Sequence, residues 1–161
     1  MNKHKISTIV FSVHILLAFY IFGAGMVNAL VGYRTWRKVG PAEFPAFHQV
    51  DSALIIPLFV IFFFLSFVPL VLLFWLRPPA IPRRLVWFAL ILNTVVLVST
   101  ITIQIPIQVQ LDKIFSLQLI DRLISTDLLY RRIPMLLLAI VNFTMLFKAV
   151  SQGPISDQPA R

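Results

Sequence analysis

Four long apolar runs, separated by short polar connections, dominate the pattern of hydrophobic and polar positions along the chain. They cover residues 6–31, 54–76, 85–108 and 128–150. Each run provides the roughly 20 apolar residues that an α-helix needs to cross a bilayer. Isolated strands in lipid would leave backbone groups unpaired, which favours helices. The pattern therefore predicts an all-α bundle of four transmembrane helices, forming one domain over residues 1–150.

Two of the polar connections are long enough to form structure of their own. Residues 32–52 begin with Tyr and Trp beside Arg and Lys, a mixture that favours lipid headgroups. They predict an interfacial segment after the first span, whose second half re-enters the bundle from Phe44. Residues 112–132 are amphipathic and predict a helix on the membrane surface before the fourth span. Residues 151–161 are polar, and we expect a disordered tail.

The composition is typical of a membrane protein and argues against several kinds of functional site. Of the 161 residues, 59% are hydrophobic, above the roughly 45–50% of soluble domains. The net charge of +8 lies at the ends of the apolar runs, where cations contact anionic lipid headgroups, so we expect no nucleic-acid partner. The chain has no cysteine and no nucleotide-binding motif. We therefore expect no cofactor and no metal.

The third apolar run ends in polar residues at a depth where a lipid-facing helix would still be apolar. Asn93, Thr100, Gln104 and Gln108 recur at helical spacing and form a stripe that must face the protein interior. A kink is expected near Pro106. The glutamine amides can donate to and accept from a substrate carbonyl or phenol. Alternatively, they only hydrogen-bond neighbouring helices.

His48 and Asp51 are the candidate catalytic pair. They are three residues apart, which places both on one face of a helix. A carboxylate beside an imidazole can orient it as a general base near neutral pH. The alternative is an interfacial pair that caps the second span.

The alternating directions of the spans bring polar groups from different connections to one face of the membrane. A lipophilic substrate could reach this face laterally from the bilayer. The candidate substrate-binding residues at this face are Asn28, Gln104, Gln108, Asp112 and Arg131.

Two further polar residues have simpler interpretations. Arg131 follows Asp127 by four residues, which suits an ion pair on one helix, although Arg131 could instead hold an anionic substrate group. His14 lies about 25 Å from the level of His48 along the membrane normal. We expect it to be packed inside the bundle, apart from the candidate pair.

An even number of spans places both termini on one side of the membrane. Of the 14 Lys and Arg residues, seven lie on the terminal side and seven on the other, so the positive-inside rule gives a tie. The charges on the terminal side lie closest to the helix ends, which favours cytoplasmic termini.

Three short segments near the ends of the spans carry a resemblance to a known family. They precede the second span, close the third and introduce the fourth. They are Glu43-Phe44 with His48, Ser99-Thr100 with Gln104, Pro106 and Leu111, and Leu123-Ile124 with Thr126, Asp127 and Arg131. In these segments the chain resembles the anthrone-oxygenase-like group of small bacterial four-helix membrane proteins.

The resemblance implies a bacterial cytoplasmic-membrane protein similar to cofactor-free oxygenases that act on flat polyketide phenols. Gln108 departs from the family pattern, which offers His or Asn at this position. Because glutamine does not take up a proton as histidine does and is a poor metal ligand, the departure argues against a metal or two-histidine mechanism.

Two functions follow from these residues. The first is an integral membrane enzyme that oxygenates, isomerises or cyclises a small lipophilic substrate with acid–base assistance from His48. The second is a non-catalytic module or partner subunit whose polar stripe only links helices. A transporter is disfavoured, because four spans without an inverted repeat would have to oligomerise to alternate access. The expected partners are the bilayer and a lipophilic small molecule, and a homo-oligomer is compatible with either function.

Overall fold

The computed structural model describes residues 2–151 and places them in four long helices. Neighbouring helices in the sequence pack against each other, and the first also packs against the fourth, so the bundle closes on itself. This confirms the predicted all-α four-helix architecture. Residues 152–161 of the expected disordered tail lie outside the described residues. The helices are α1 (Lys3–Trp36), α2 (Phe44–Leu76), α3 (Arg83–Leu111) and α4 (Leu117–Ser151).

The bundle exposes apolar side chains on its outside and buries a smaller number of polar side chains beside its apolar core. Large exposed hydrophobic residues occur on all four helices, for example Leu16, Val68, Phe88 and Phe143. All four helices are long and apolar enough to cross a membrane. Burying polar groups is costly unless they are paired or functional, so the interior is where chemistry should be sought. The chain is a multi-pass membrane protein.

The two ends of the bundle differ, and they are named here by one residue each. The Lys3 end holds the start of α1 and the connection between α2 and α3. The Trp36 end holds the end of α1, the start of α2 and the connection between α3 and α4. The helices have 29 to 35 residues, so the longest extend ~50 Å and exceed the roughly 30 Å hydrocarbon core.

Parts of the two segments predicted at the membrane surface belong to the long helices. Tyr33 and Trp36 form the last turns of α1 and are fully buried, whereas the sequence suggested contact with headgroups. The predicted re-entry of the chain from Phe44 is confirmed, since α2 begins at this residue. The predicted surface helix is the first part of α4, where Ile120 and Leu123 are also buried. These residues share one apolar cluster with Phe44 at the Trp36 end. Burial in this cluster outweighs the interfacial preference that the local sequence suggests.

Each helix contains one π-helical turn, and all four lie toward the Trp36 end. They are Asn28–Gly32, Ile56–Val60, Thr100–Gln104 and Leu128–Arg132. Each turn is closed by an amide that bonds the carbonyl five residues earlier, as Ile105 N does with Thr100 O. Such turns widen a helix locally and are frequent at functional sites.

Prolines explain part of this distortion. In α4, Pro134 follows the π turn and lacks the amide that Tyr130 O would otherwise accept in an α-helix. The Ser99 hydroxyl from α3 donates to Tyr130 O instead, at 3.1 Å. In α3, Pro106 follows its π turn by two residues in the same way. The kink predicted near Pro106 therefore takes the form of a π turn.

His14 links two helices in the half of the bundle toward the Lys3 end. It is buried, and its Nε2 donates to Asn142 Oδ1 of α4 at 2.9 Å. Ser66 and Asn93 lie beside it around a small cavity of about 20 Å³, enough for one water molecule. As expected, His14 is packed inside the bundle, and it does not line the larger cavity described below.

The His14–Asn142 bond should contribute measurably to stability. A double-mutant cycle of His14→Ala and Asn142→Ala should give a coupling of about 0.6–1.7 kcal/mol, the range for hydrogen bonds between membrane helices. The measurement is the free energy of unfolding in mixed micelles. Thr144→Ala is the control, because this hydroxyl bonds only Ile140 O of its own helix. A coupling of zero would contradict the interhelical bond.

Candidate functional site

A cavity of about 320 Å³ lies among the helices at the Trp36 end. This volume is within the range of small-molecule sites, roughly 300–1,000 Å³. Every helix contributes to its wall, and the π turns supply side chains from all four helices. These wall residues from the π turns include Asn28, Phe59, Thr100, Gln104 and Arg131.

All five predicted substrate-binding residues line this one cavity. They come from α1, from α3 with the residue that follows it, and from α4, which are distant in the sequence. Their convergence follows from the alternating helix directions on which the prediction was based. The five are Asn28, Gln104, Gln108, Asp112 and Arg131.

Gln104 is the most unusual of these side chains. It is only 1% exposed, and neither its amide oxygen nor its amide nitrogen has a hydrogen-bond partner among residues 2–151. A buried amide without partners costs roughly 1–3 kcal/mol. Gln108, one turn further along α3, is half-buried on the same wall. The cavity therefore presents both a donor and an acceptor that are free to bind a ligand.

Arg131 brings a buried positive charge to the same wall. It is 5% exposed, and its Nη1 lies 3.4 Å from Asp127 Oδ1 and donates to the Tyr33 hydroxyl at 3.2 Å. Its Nε has no partner among the described residues. The guanidinium also lies over the Phe59 ring, 5.8 Å from its centroid, a favourable cation–π distance. The ion pair with Asp127 expected from the sequence is confirmed.

Asp127 serves a second arginine as well. Its Oδ2 lies 2.8 Å from Arg132 Nε, and the carboxylate is only 2% exposed. One carboxylate therefore faces two guanidinium groups, which leaves this group of three side chains with a net charge of +1. An anionic or electron-rich oxygen in the cavity would be attracted to Arg131.

His48 contacts Asp112, and not Asp51 as predicted. Its Nδ1 lies 2.6 Å from Asp112 Oδ1, across the gap between α2 and α3. The imidazole is fully buried between the Trp36 and Phe44 rings, with centroid distances of 4.6 Å and 5.5 Å. Local spacing along one helix suggested Asp51, but the partner is 64 residues away in the sequence.

Neither predicted catalytic residue lines the cavity. His48 lies behind Asp112, which is the member of the pair that lines the wall. Asp51 lies on a different, more open groove between α1 and α2, together with Tyr20 and Gly32. The candidate proton-transfer group of the cavity is therefore Asp112, with His48 holding it in place.

The cavity opens sideways between α2 and α3. These helices pack directly in the half toward the Lys3 end. At the Trp36 end they are connected through side chains, by His48 with Asp112 and by Gln49 Nε2 donating to Asp112 O at 2.9 Å. Between these contacts the wall includes Ile56, Ile105 and Val109, which are about half-exposed on the lipid side. A lipophilic molecule has an apolar entrance at this position.

Tyr33 and Phe59 are among the wall residues that sequence reasoning missed. Tyr33 was assigned to the headgroup region, and Phe59 lies in a run of apolar residues with no feature that separates it from its neighbours. The available signal for Tyr33 was Asn28, a polar residue in an apolar run five residues earlier. In the structure, Asn28 Nδ2 donates to the Tyr33 hydroxyl at 3.4 Å. Among residues 2–151, no group of three or more histidine and acidic side chains is placed to hold a metal ion.

The buried carboxylate of Asp127 should dominate the stability of this end of the bundle. Asp127→Asn leaves the buried Arg131 and the partly buried Arg132 without their counter-charge and should cost about 3–5 kcal/mol of unfolding free energy. The matched control is Asp121→Asn on the same helix, which removes an exposed ion pair with Arg37 and should cost about 0–1 kcal/mol. Equal losses in mixed-micelle unfolding would contradict the assignment.

Comparison with known proteins adds no relative from which a role could be transferred. No protein-family model matches the chain, and no curated protein or solved structure is significantly similar to it. The function has to be inferred from the side chains that surround the cavity.

Proposed function

We propose that this protein is an integral membrane enzyme that takes a small lipophilic substrate from the bilayer and moves a proton on it. The observation that carries the proposal is Gln104, a buried amide on the cavity wall with both polar atoms free. The substrate would supply the missing partners through a carbonyl, hydroxyl or phenol group. Arg131 would bind the oxygen of that substrate that carries the most negative charge.

The competing function is a non-catalytic module whose polar residues only hold the helices together. His14 and Asn142 do have such a linking role. Gln104 does not, because it makes no hydrogen bond to another described residue. Polar residues in membrane helices that have no linking role mark substrate paths or sites. This difference favours a ligand-binding function for the cavity.

Asp112 is the proposed general base. It lines the cavity and accepts a hydrogen bond from His48 Nδ1, so its carboxylate is held in one orientation. His48 acts here as a positioning residue, since it does not line the cavity. A proton taken from one substrate atom by Asp112 can be returned to another atom, which gives isomerisation or cyclisation without any further reactant.

Oxygenation by the same site would need molecular oxygen as a co-reactant. Asp112 would remove a proton from a substrate CH2 group, and the resulting anion, stabilised by Arg131, would form a C–O bond to O2. Cleavage of the O–O bond would then leave one oxygen atom as a new carbonyl and release the other as water, so that CH2 and O2 give C=O and H2O. The resemblance to the anthrone-oxygenase-like group supports this variant of the reaction. A flat aromatic substrate would also suit a cavity wall that contains Phe59 and Tyr33.

We place the protein in a bacterial cytoplasmic membrane with both termini on the cytoplasmic side. At the Lys3 end the described chain carries six Lys and Arg residues and no carboxylate. These six lie in or directly beside the first or last turns of the helices, whereas at the Trp36 end Arg131 and Arg132 lie inside α4. The position of the cations at the Lys3 end, close to the ends of the spans, supports this orientation.

Loss of the Asp112 carboxylate should abolish product formation. We would compare, by mass spectrometry, lipophilic extracts of native cells with the intact gene, a deletion, and the deletion restored with Asp112→Asn or Gln104→Ala. We expect a product to disappear on deletion and to stay absent, or reduced at least tenfold, with both variants at normal protein abundance. Loss of proton transfer and loss of substrate positioning should each lower the rate of product formation by about tenfold or more.

The matched control for the glutamine is Gln110→Ala. Gln110 lies on the same helix but is exposed, and its Nε2 donates to Pro106 O of that helix. It should restore the product fully. Extracts that do not change on deletion would refute the enzyme, and full activity of both Asp112→Asn and Gln104→Ala would refute this site.

Narrowing the lateral entrance should impair substrate access without changing the chemistry. Val109→Trp places a large ring at the entrance, where Val109 lines the cavity and is 48% exposed. We expect KM to rise severalfold with little change in kcat. Ile101→Trp is the control, since Ile101 is equally exposed to lipid but does not line the cavity. The same effect from both substitutions would argue against entry between α2 and α3.

A further inference from the structure

A second cavity lies at the opposite end of the bundle and is lined by a different set of polar groups. Its volume is about 210 Å³, and it is formed by the first turns of α1 and the last turn of α2 with the connection that follows. Lys3, Ser7 and Arg77 line it, with Trp75 and Pro79 as its apolar wall. None of these residues takes part in the cavity at the Trp36 end.

Ser7 points to a ligand in this second cavity. It is 7% exposed, and its hydroxyl has no hydrogen-bond partner among residues 2–151. By comparison, the hydroxyl of the next residue, Thr8, donates to His4 O in its own helix. A buried hydroxyl without a partner loses free energy unless something else bonds it. The ligand of the cavity should therefore carry an oxygen that accepts a hydrogen bond.

The charges of the cavity select an anion. Lys3 and Arg77 both contribute positive charge, and all five carboxylates of the described chain, at Glu43 and at four aspartates, lie toward the Trp36 end. Arg77 is held in position because its Nε donates to Ile81 O at 2.9 Å and its Nη1 to Phe74 O at 3.3 Å. Its remaining N–H groups have no partner among residues 2–151 and can bind an anion. The first amides of α1 add partial positive charge at the same place.

The surroundings indicate that this anion belongs to a lipid. Trp75 is 66% exposed at the end of α2, the position that tryptophan favours at the membrane–water boundary. Val68 and Leu72 precede Trp75 at helical spacing and are exposed on the same helix. They form an apolar stripe along which acyl chains can lie below a headgroup that occupies the cavity. Basic pockets between membrane helices are suited to anionic lipid headgroups.

We propose that the cavity at the Lys3 end binds the phosphate group of an anionic phospholipid. Lys3 and Arg77 bind the charge, the Ser7 hydroxyl donates to a phosphate oxygen, and Trp75 with the stripe below it packs against the glycerol and acyl chains. This site is separate from the proposed enzymatic cavity and does not depend on its function.

The test compares three probes on the full-length protein in an uncharged detergent. They are dihexanoyl phosphatidic acid, dihexanoylglycerol, which lacks the phosphate, and inorganic phosphate. The dissociation constant of each is obtained from the shift in melting temperature. We expect phosphatidic acid to bind at least tenfold more tightly than either other probe. If dihexanoylglycerol binds as tightly as phosphatidic acid, the cavity does not recognise the phosphate. If inorganic phosphate binds as tightly, the cavity does not recognise the lipid part of the molecule.

Substitutions then test the residues. Lys3→Gln and Ser7→Ala should each weaken phosphatidic acid binding by about five- to tenfold, because each removes one contact to a charged group. Lys5→Gln and Thr8→Ala are the matched controls, since both residues are exposed on α1 and neither lines the cavity. They should change the dissociation constant less than twofold.

Equal weakening of phosphatidic acid binding by Lys3→Gln and Lys5→Gln would overturn the site. It would mean that the lipid is attracted by the general positive charge of this surface and not bound in the cavity. If Ser7→Ala lowers the melting temperature of the ligand-free protein, its effect on binding could come from altered packing. The comparison of Lys3→Gln with Lys5→Gln then decides whether the site exists, because both lysines are exposed and neither is part of the packed core.

Discussion

The Trp36 end of the bundle depends on a single electrostatic constraint, the compensation of two arginines by Asp127. A buried charge without a partner is not tolerated in an apolar interior. Asp127 and Arg131 must therefore stay together, and the hydrogen bond from Arg131 to Tyr33 links the end of α1 to the π turn of α4. The apolar cluster around Phe44 then closes this end of the bundle. The cavity lies beside Arg131, between the four helices.

The architecture could be predicted from the sequence because it depends on local properties. The length of the apolar runs predicted the four helices, and their alternating directions predicted that Gln104 and Arg131 lie at the same end of the bundle. The spacing of four residues also identified Asp127 as the partner of Arg131. Tyr33 shows where local reasoning stops. The residues around Tyr33 have a composition that suits the headgroup region. Tyr33 is nevertheless buried, because it packs in one cluster with Ile120 and Leu123, which follow about 90 residues later. Local propensity is a weak guide where tertiary packing competes with it.

The pair of His48 with Asp112 illustrates the same limit at the level of chemistry. Spacing along one helix identifies neighbours three or four residues apart, which is why Asp51 was assigned as the partner. The contact that forms instead runs from α2 to Asp112, the residue that follows α3. Such a contact depends on how far apart two helices stand, and that distance is set by the bulk of the side chains elsewhere in the bundle.

The four π turns bear on the origin of the cavity. They lie toward one end of the bundle, and each widens its helix locally. In α2 the turn Ile56–Val60 lies between the half that packs directly on α3 and the first turns, which Phe44 and His48 hold at the Trp36 end. Because residues of all four π turns line the cavity, its width is set by the backbone as well as by the size of the side chains.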